Sequence, residues 1–193
     1  AWGKLLNSGQ TCVAPDYLLV HKDIKNRFLN ELALAIKTMY PNPLANNAYP
    51  KIIDEEHFYN IIKLLEKEKS NIILGGNYDK NTLKIEPTIL NNITLKNPSM
   101  KSELFSPIIP IIEFETLSDI QKIVSAHSTP LALYVFTRNE SFAQKLINKM
   151  LDNEETKFTK GEQIWDYLYC DDAAKAFYLV AVKGKDQTVY TLG

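Results

Sequence analysis

Ile108-Ile109-Pro110-Ile111-Ile112 is apolar at every position, so a strand built from it must be covered on both faces. The same texture recurs on either side. Tyr17-Leu18-Leu19-Val20, Asn71-Ile72-Ile73-Leu74, Glu86-Pro87-Thr88-Ile89-Leu90 and Leu131 to Phe136 all read as short strands. Segments of helical period lie between them. Phe28, Leu32, Ile36 and Met39 fall on one helix face, which Pro41 ends. Asp54 is placed to cap a helix whose apolar face is Phe58, Ile61, Ile62 and Leu65. Ile120, Ile123 and Val124 mark a short helix, and Phe142, Leu146 and Met150 another. Strands that alternate with helices and lack a polar face predict an α/β domain with a mainly parallel sheet and covering helices.

The totals agree with an ordinary globular domain and narrow its chemistry. Hydrophobic residues are 45% and charged residues 23% of 193, which excludes collagen-like, disordered and disulfide-dense classes. A net charge of -1 gives no general attraction to nucleic acid or to an anionic membrane. No apolar run approaches the roughly 20 residues that cross a bilayer. Two cysteines, Cys12 and Cys170, make neither a disulfide framework nor a zinc site of the usual ligand count. Free thiols and the absence of a recognisable leader give a cytoplasmic expectation. The chain starts with Ala1, not Met, as if cut from something longer.

Cys12 stands in Asn7-Ser8-Gly9-Gln10-Thr11-Cys12-Val13-Ala14-Pro15-Asp16. Gly9 permits a tight turn just before a cysteine that leads into a strand. A thiol beside exposed backbone N–H groups is easier to ionise and to use as a nucleophile. The bland reading is a small buried hydrophobe, the commoner fate of a lone cysteine.

Gly3 through Tyr17 (GKLLNSGQTCVAPDY) resembles the active-site segment of the aldehyde dehydrogenase superfamily, especially its class 3-like branch. Four further stretches follow in family order and spacing: Asn42-Pro43-Leu44, Ile85 to Leu90, Ser102-Glu103-Leu104-Phe105-Ser106-Pro107 and Leu131 to Phe136. The resemblance covers about residues 1–150 and implies an incomplete catalytic domain of that family. It makes Cys12 the nucleophile that attacks an aldehyde substrate. It makes Glu103 the carboxylate that accepts hydrogen bonds from the ribose next to the nicotinamide of NAD or NADP, and Phe105 the aromatic residue packed beside that ribose and ring. On residue type alone Glu103 would be a solvated carboxylate and Phe105 core. Ser106 departs from the family's usual Gly, and a side chain there is expected to crowd the turn that aims Glu103. The resemblance also leaves open a homo-oligomer in intact relatives.

Other patterns are set aside. His21, His57 and His127 have no serine or acid in motif context and read as surface or core histidines. Tyr59 and Lys63 have the Y-x-x-x-K spacing of short-chain dehydrogenases, but lie inside the helix of Ile62 and read as chance. No G-x-G-x-x-G, phosphate loop or metal-ligand cluster is present, and Gly75-Gly76 reads as a turn. The family's cofactor half, its oxyanion-hole amide and its general-base glutamate would precede Ala1, and its Gly-rich strand after Met150 is replaced by a polar stretch from Leu151 to Lys160. Beyond it, Lys160 to Phe177 (KGEQIWDYLYCDDAAKAF) resembles extended short-chain dehydrogenases of the nucleotide-sugar epimerase and dehydratase type. Trp165, Tyr167 and Tyr169 read there as one strand face and Asp171-Asp172 as a cap. The expected division is a partial catalytic domain over 1–150 and a linker with a foreign fragment over 151–193. Three functions are weighed: a fragment of an aldehyde-oxidising enzyme, inactive alone; a truncated fusion product with no catalytic role; and, on the tail alone, a sugar-nucleotide enzyme.

Overall fold

The computed structural model describes residues 1–127 and 130–151. Ala1–Met150 forms one compact unit, and the fold is that of this unit. A one-turn helix, α1 (Trp2–Leu5), leads through the Cys12 loop to β1 (Leu18–His21) and then α2 (Lys25–Met39). After a long loop come α3 (Glu55–Lys67), β2 (Ile72–Leu74) and a hairpin of β3 (Tyr78–Asp79) and β4 (Lys84–Ile85). The rest is β5 (Thr88–Leu90), β6 (Ile108–Phe114), α4 (Leu117–Ser125) and α5 (Glu140–Leu151).

Four strands make one sheet in the order β1-β6-β5-β2. β6 runs parallel to β1, with Leu18 opposite Ile111, and parallel to β5, with Thr88 opposite Ile108. β2 joins β5 antiparallel. The all-apolar run therefore occupies the middle of the sheet, and Ile108 through Ile112 are all buried. Alternation along β6 divides its side chains between two cores. Ile108 and Ile112 meet Phe58, Ile61, Ile62 and Leu65 of α3 and Ile123 of α4. Ile109 and Ile111 meet Leu29, Leu32 and Ile36 of α2, together with Leu5. This is the doubly covered, mainly parallel sheet that the apolar run predicts.

Local chemistry fixes the helix starts. Asp54 caps α3 by accepting the His57 N–H at 2.8 Å. Thr116 and Asp119 form a reciprocal capping box at α4. On α2 the buried stripe is Lys25, Leu29, Leu32 and Ile36, while Phe28 is half-buried. The Lys25 ammonium donates to Asn92 Oδ1 at 2.8 Å and Glu113 Oε2 at 3.0 Å, tying the start of α2 to β6. Glu68, after α3, is 1% exposed and fully engaged. Its carboxylate accepts from the Ser99 N–H (3.0 Å), the Ser99 hydroxyl (2.9 Å) and the Asn97 amide (2.9 Å). That latch fastens the turn at 97–99 to the end of α3.

One expected strand does not form. Leu131 to Phe136 has no ladder pairing, and Leu131 is 74% and Phe136 93% exposed. A strand exists only where a neighbouring edge offers N–H and C=O groups, and both edges of the described sheet stay clear of this segment. Apolar, β-favouring residues alone do not substitute for that edge. Leu146 is buried on α5. The side chain of Met150, the polar stretch and the tail readings at Trp165, Tyr167, Tyr169, Cys170 and Asp171-Asp172 lie outside what is described.

Candidate active site around Cys12

Leu5 is fully buried in the core below β6 and anchors the entry to the Cys12 loop. The chain then turns through three successive left-handed residues: Asn7 (φ 51), Ser8 (φ 54) and Gly9 (φ 76). Such residues cost about 1–2 kcal/mol each unless glycine, so the surroundings must hold them. Ser8, fully buried, donates its hydroxyl to the Pro50 carbonyl at 2.7 Å. A Cβ on Gly9 would lie 2.2 Å from the Ser106 carbonyl oxygen, so no other residue fits that approach. The Gln10 amide spans the gap to the next loop. Its Oε1 accepts the Ile53 N–H at 2.8 Å, while its Nε2 donates to Asn7 O (3.0 Å) and Lys51 O (3.1 Å). Thr11 to Ala14 then closes as a turn, the Ala14 N–H donating to Thr11 O at 3.1 Å. Cys12 sits at its tip, exposed, with a free thiol. The Cys12 N–H donates to no acceptor among the described residues.

The segment carrying Glu103 and Phe105 is pinned against this loop. Asp16 Oδ1 accepts the Leu104 N–H at 2.9 Å. Phe105 is left-handed (φ 42), and its carbonyl accepts from His57 Nε2 at 2.8 Å. Ser106 does not take the left-handed conformation that would demand glycine; it is fully buried, and the positive φ falls on Phe105. The Tyr134 hydroxyl donates to Val13 O at 2.9 Å, laying the unpaired 131–136 segment beside Cys12.

Asn7, Gln10, Pro50, Lys51, Ile53, His57 and Phe105 line an open cavity of about 520 Å³. Of the three residues singled out in the sequence, Phe105 is on its wall; Cys12 and Glu103 are exposed and outside its lining. Below the loop, Lys4 is 3% exposed. Burial pulls its amine down to about 8, against the opposing fields of Asp16 and Glu103. Burial raises the Tyr17 phenol, and the charge of Asp16 raises it further. Among the described residues no group of three or more His, Cys, Asp or Glu is placed to hold a metal ion, and no helix is long and apolar enough to cross a membrane.

Lys4 and Gln10 drew no role from the sequence, and His57, set aside there as a surface or core histidine, binds the Phe105 carbonyl on the cavity wall. Gln10 stands inside the quoted motif and could have been flagged there. His57 carries no such signal, because its partner is 48 positions away. The other two histidines are structural: His127 bridges Ile123 O and Met100 O, each at 3.0 Å, and His21 Nδ1 accepts the Asp23 N–H at 3.3 Å.

The model of the aldehyde dehydrogenase family matches residues 1–153. The chain belongs to the aldehyde dehydrogenase family. It is 38% identical over 148 residues to "Aldehyde dehydrogenase, dimeric NADP-preferring" of Mus musculus, an alignment covering 76% of this chain and 32% of that protein. It is 35% identical over 164 residues to "Aldehyde dehydrogenase family 3 member A2" of Pongo abelii, covering 84% of this chain and 33% of that protein. The chain thus spans about one third of the length of these curated relatives. Among solved structures, "Substrate bound state of Staphylococcus Aureus AldH" is similar with a TM-score of 0.74 and 26% identity, over 92% of this chain and 49% of that one. The class 3-like aldehyde dehydrogenase resemblance read from Gly3 to Tyr17 is borne out. A second model, that of the NAD dependent epimerase/dehydratase family, matches residues 132–193, in line with the resemblance read in the tail.

Proposed function

We propose that this chain carries the nucleophile-bearing part of an aldehyde dehydrogenase site, with Cys12 as the nucleophile. The supporting observation is the exposed Cys12 thiol at the tip of a turn that is fastened, through Asp16 and Gly9, to the Glu103–Ser106 segment. The Cys12 thiolate attacks the aldehyde carbon and forms a thiohemiacetal, splitting one hard step into two easier ones. The free N–H of Cys12 is a preset donor for the oxygen that gains charge. NAD or NADP, when bound, accepts the hydride. Water then cleaves the thioester on Cys12, releasing the carboxylic acid and restoring the thiol.

The residues fit the nicotinamide half of such a cofactor. Glu103 offers an exposed carboxylate for ribose hydroxyls, and Phe105 walls a cavity within the usual size of small-ligand pockets. The chain has no Gly-rich phosphate cradle, so the other half needs residues from elsewhere. We therefore expect the 193 residues alone not to turn over, and residues beyond about 150 to take no part in the site. A different family's model matches 132–193 and reaches well past 153, where the aldehyde dehydrogenase match ends, which favours a fused foreign segment over 151–193.

Two measurements test this. Brief iodoacetamide treatment followed by mass mapping should label Cys12 ahead of Cys170. Aldehyde-dependent reduction of NAD or NADP by the 193 residues should not exceed the buffer blank. Preferential labelling of Cys170 would remove Cys12 from its role, and turnover that disappears in Cys12→Ala would overturn the expectation that the 193 residues are inactive alone.

A further inference from the structure

Phe105 holds a conformation that an aromatic side chain disfavours, with φ at 42, on the wall of the cavity beside the Cys12 loop. Such a residue stays in place only where its neighbours over-determine it. The grip has two visible jaws. Ahead of Phe105, the Leu104 N–H is held by Asp16 at 2.9 Å. Behind it, the Phe105 carbonyl is held by His57 Nε2 at 2.8 Å. A carbonyl oxygen only accepts, so Nε2 must carry the hydrogen, which fixes the tautomer of the neutral ring. His57 is itself held at the start of α3, where its backbone N–H is bound by Asp54 and its side chain is left to reach the Phe105 peptide.

We infer that His57 is a positioning residue for the cofactor wall: its imidazole locks the Phe105 peptide so that the aromatic ring stays presented to the cavity. The inference rests on the reading of Phe105 as a wall for the nicotinamide half of NAD or NADP. His57 needs no contact with that ligand to act, and it works through the peptide alone. Because the Asp54 cap uses the His57 backbone, replacing the side chain leaves the α3 cap intact.

The test compares the 193-residue chain with His57→Leu, which removes the donor, and His57→Gln, whose amide can place an N–H near the lost Nε2. Amide hydrogen exchange at Leu104, whose N–H is held by Asp16 and not by His57, reads whether the two jaws act as one grip. In His57→Leu the Leu104 amide should exchange about fivefold faster, the effect of losing one ordinary hydrogen bond, and His57→Gln should return it to within about twofold of wild type. The Ile111 and Ile112 amides of β6 should be unchanged in both. Titration with nicotinamide mononucleotide, followed by NMR, reads the consequence: binding should weaken by a similar factor in His57→Leu and recover in His57→Gln. Leu104 exchange indifferent to His57→Leu, or unrestored by His57→Gln, overturns the lock. Nucleotide binding by wild type that His57→Leu leaves unchanged overturns the positioning role while the cofactor reading stands. A wild-type chain that binds no nicotinamide mononucleotide overturns the cofactor reading, and the role assigned to His57 with it.

Discussion

Replacing Lys4 by Met should stabilise the protein at neutral pH, although it deletes a charged residue next to the proposed active site. Lys4 is 3% exposed, and burial lowers its amine from the ordinary 10.5 to about 8. That difference means that keeping Lys4 charged in the folded chain costs about 3 kcal/mol relative to the unfolded chain at pH 7. The folded value lies below the unfolded one, so between about 8 and 10.5 the unfolded chain holds the extra proton. Stability therefore rises with pH through that window, by about 2 kcal/mol between pH 7 and 9.5. The raised phenols of Tyr17 and Tyr49 contribute with the opposite sign, their stabilisation being lost only above the ordinary tyrosine range, so readings stop at 9.5. The amino group of Ala1, lowered by burial, acts in the same direction as Lys4 but cancels in a comparison with Lys4→Met. Met keeps the length and apolar stem without the charge. Its gain at pH 7 should be about 1–3 kcal/mol, part of the relief being offset because Asp16 and Glu103 lose a nearby cation. Urea unfolding at pH 7 and 9.5 provides the assay. A Lys4→Met chain less stable than wild type at pH 7, or one with the same rise toward 9.5, would show that the lysine is paired and not merely buried.

Three further outcomes follow from the same geometry. Gly9→Ala should lower stability by at least about 2 kcal/mol, from the left-handed backbone and the 2.2 Å approach to the Ser106 carbonyl, and should dull the iodoacetamide labelling of Cys12; an unchanged urea midpoint would contradict the close approach. Glu68→Ala strands the buried Ser99 N–H and hydroxyl and should cost about 2–4 kcal/mol in urea unfolding at constant slope, whereas a loss below 1 kcal/mol would mean that water replaces the carboxylate there. Thr116→Ala removes half of the capping box of α4 and should cost about 1 kcal/mol, measured as a shift of the thermal midpoint; no shift would mark the cap as redundant.

The parts of the fold that the sequence announces are those whose cause is local. β6 is legible because five consecutive apolar residues have no solvent face to offer, and the structure divides them between α2 on one side and α3 with α4 on the other. α3 is legible because its cap and its apolar face are both written within one segment, Asp54 to Leu65. Leu131 to Phe136 misleads because being a strand is a property of a pair. The segment has the apolar, β-favouring composition of a strand, but neither edge of the described sheet receives it. At the site, spacing around Gly9 points to a turn before Cys12, and family resemblance supplies the roles assigned to Cys12, Glu103 and Phe105. Neither route reaches His57 or Lys4. A histidine that binds a peptide 48 positions away, or a lysine that is buried only in the folded chain, leaves no periodicity to read.

The four left-handed residues around the cavity, Asn7, Ser8, Gly9 and Phe105, belong to two separate stretches of chain, and neither stretch holds its own shape unaided. The hydrophobic core is non-directional and fixes where the first stretch begins, at Leu5, and where the second ends, at Ile108. It does not dictate the direction of an individual peptide. That task falls to side chains that bond to backbone: Ser8 to Pro50, Gln10 to Ile53 and Lys51, Asp16 to Leu104, and His57 to Phe105. Each of these bonds crosses from one loop or helix start to another, so the Cys12 loop and the Phe105 segment can adopt their strained forms only together. The strain is thus stored beside the proposed nucleophile and offset by directional bonds, in the part of the molecule where the core leaves the backbone freest to be shaped.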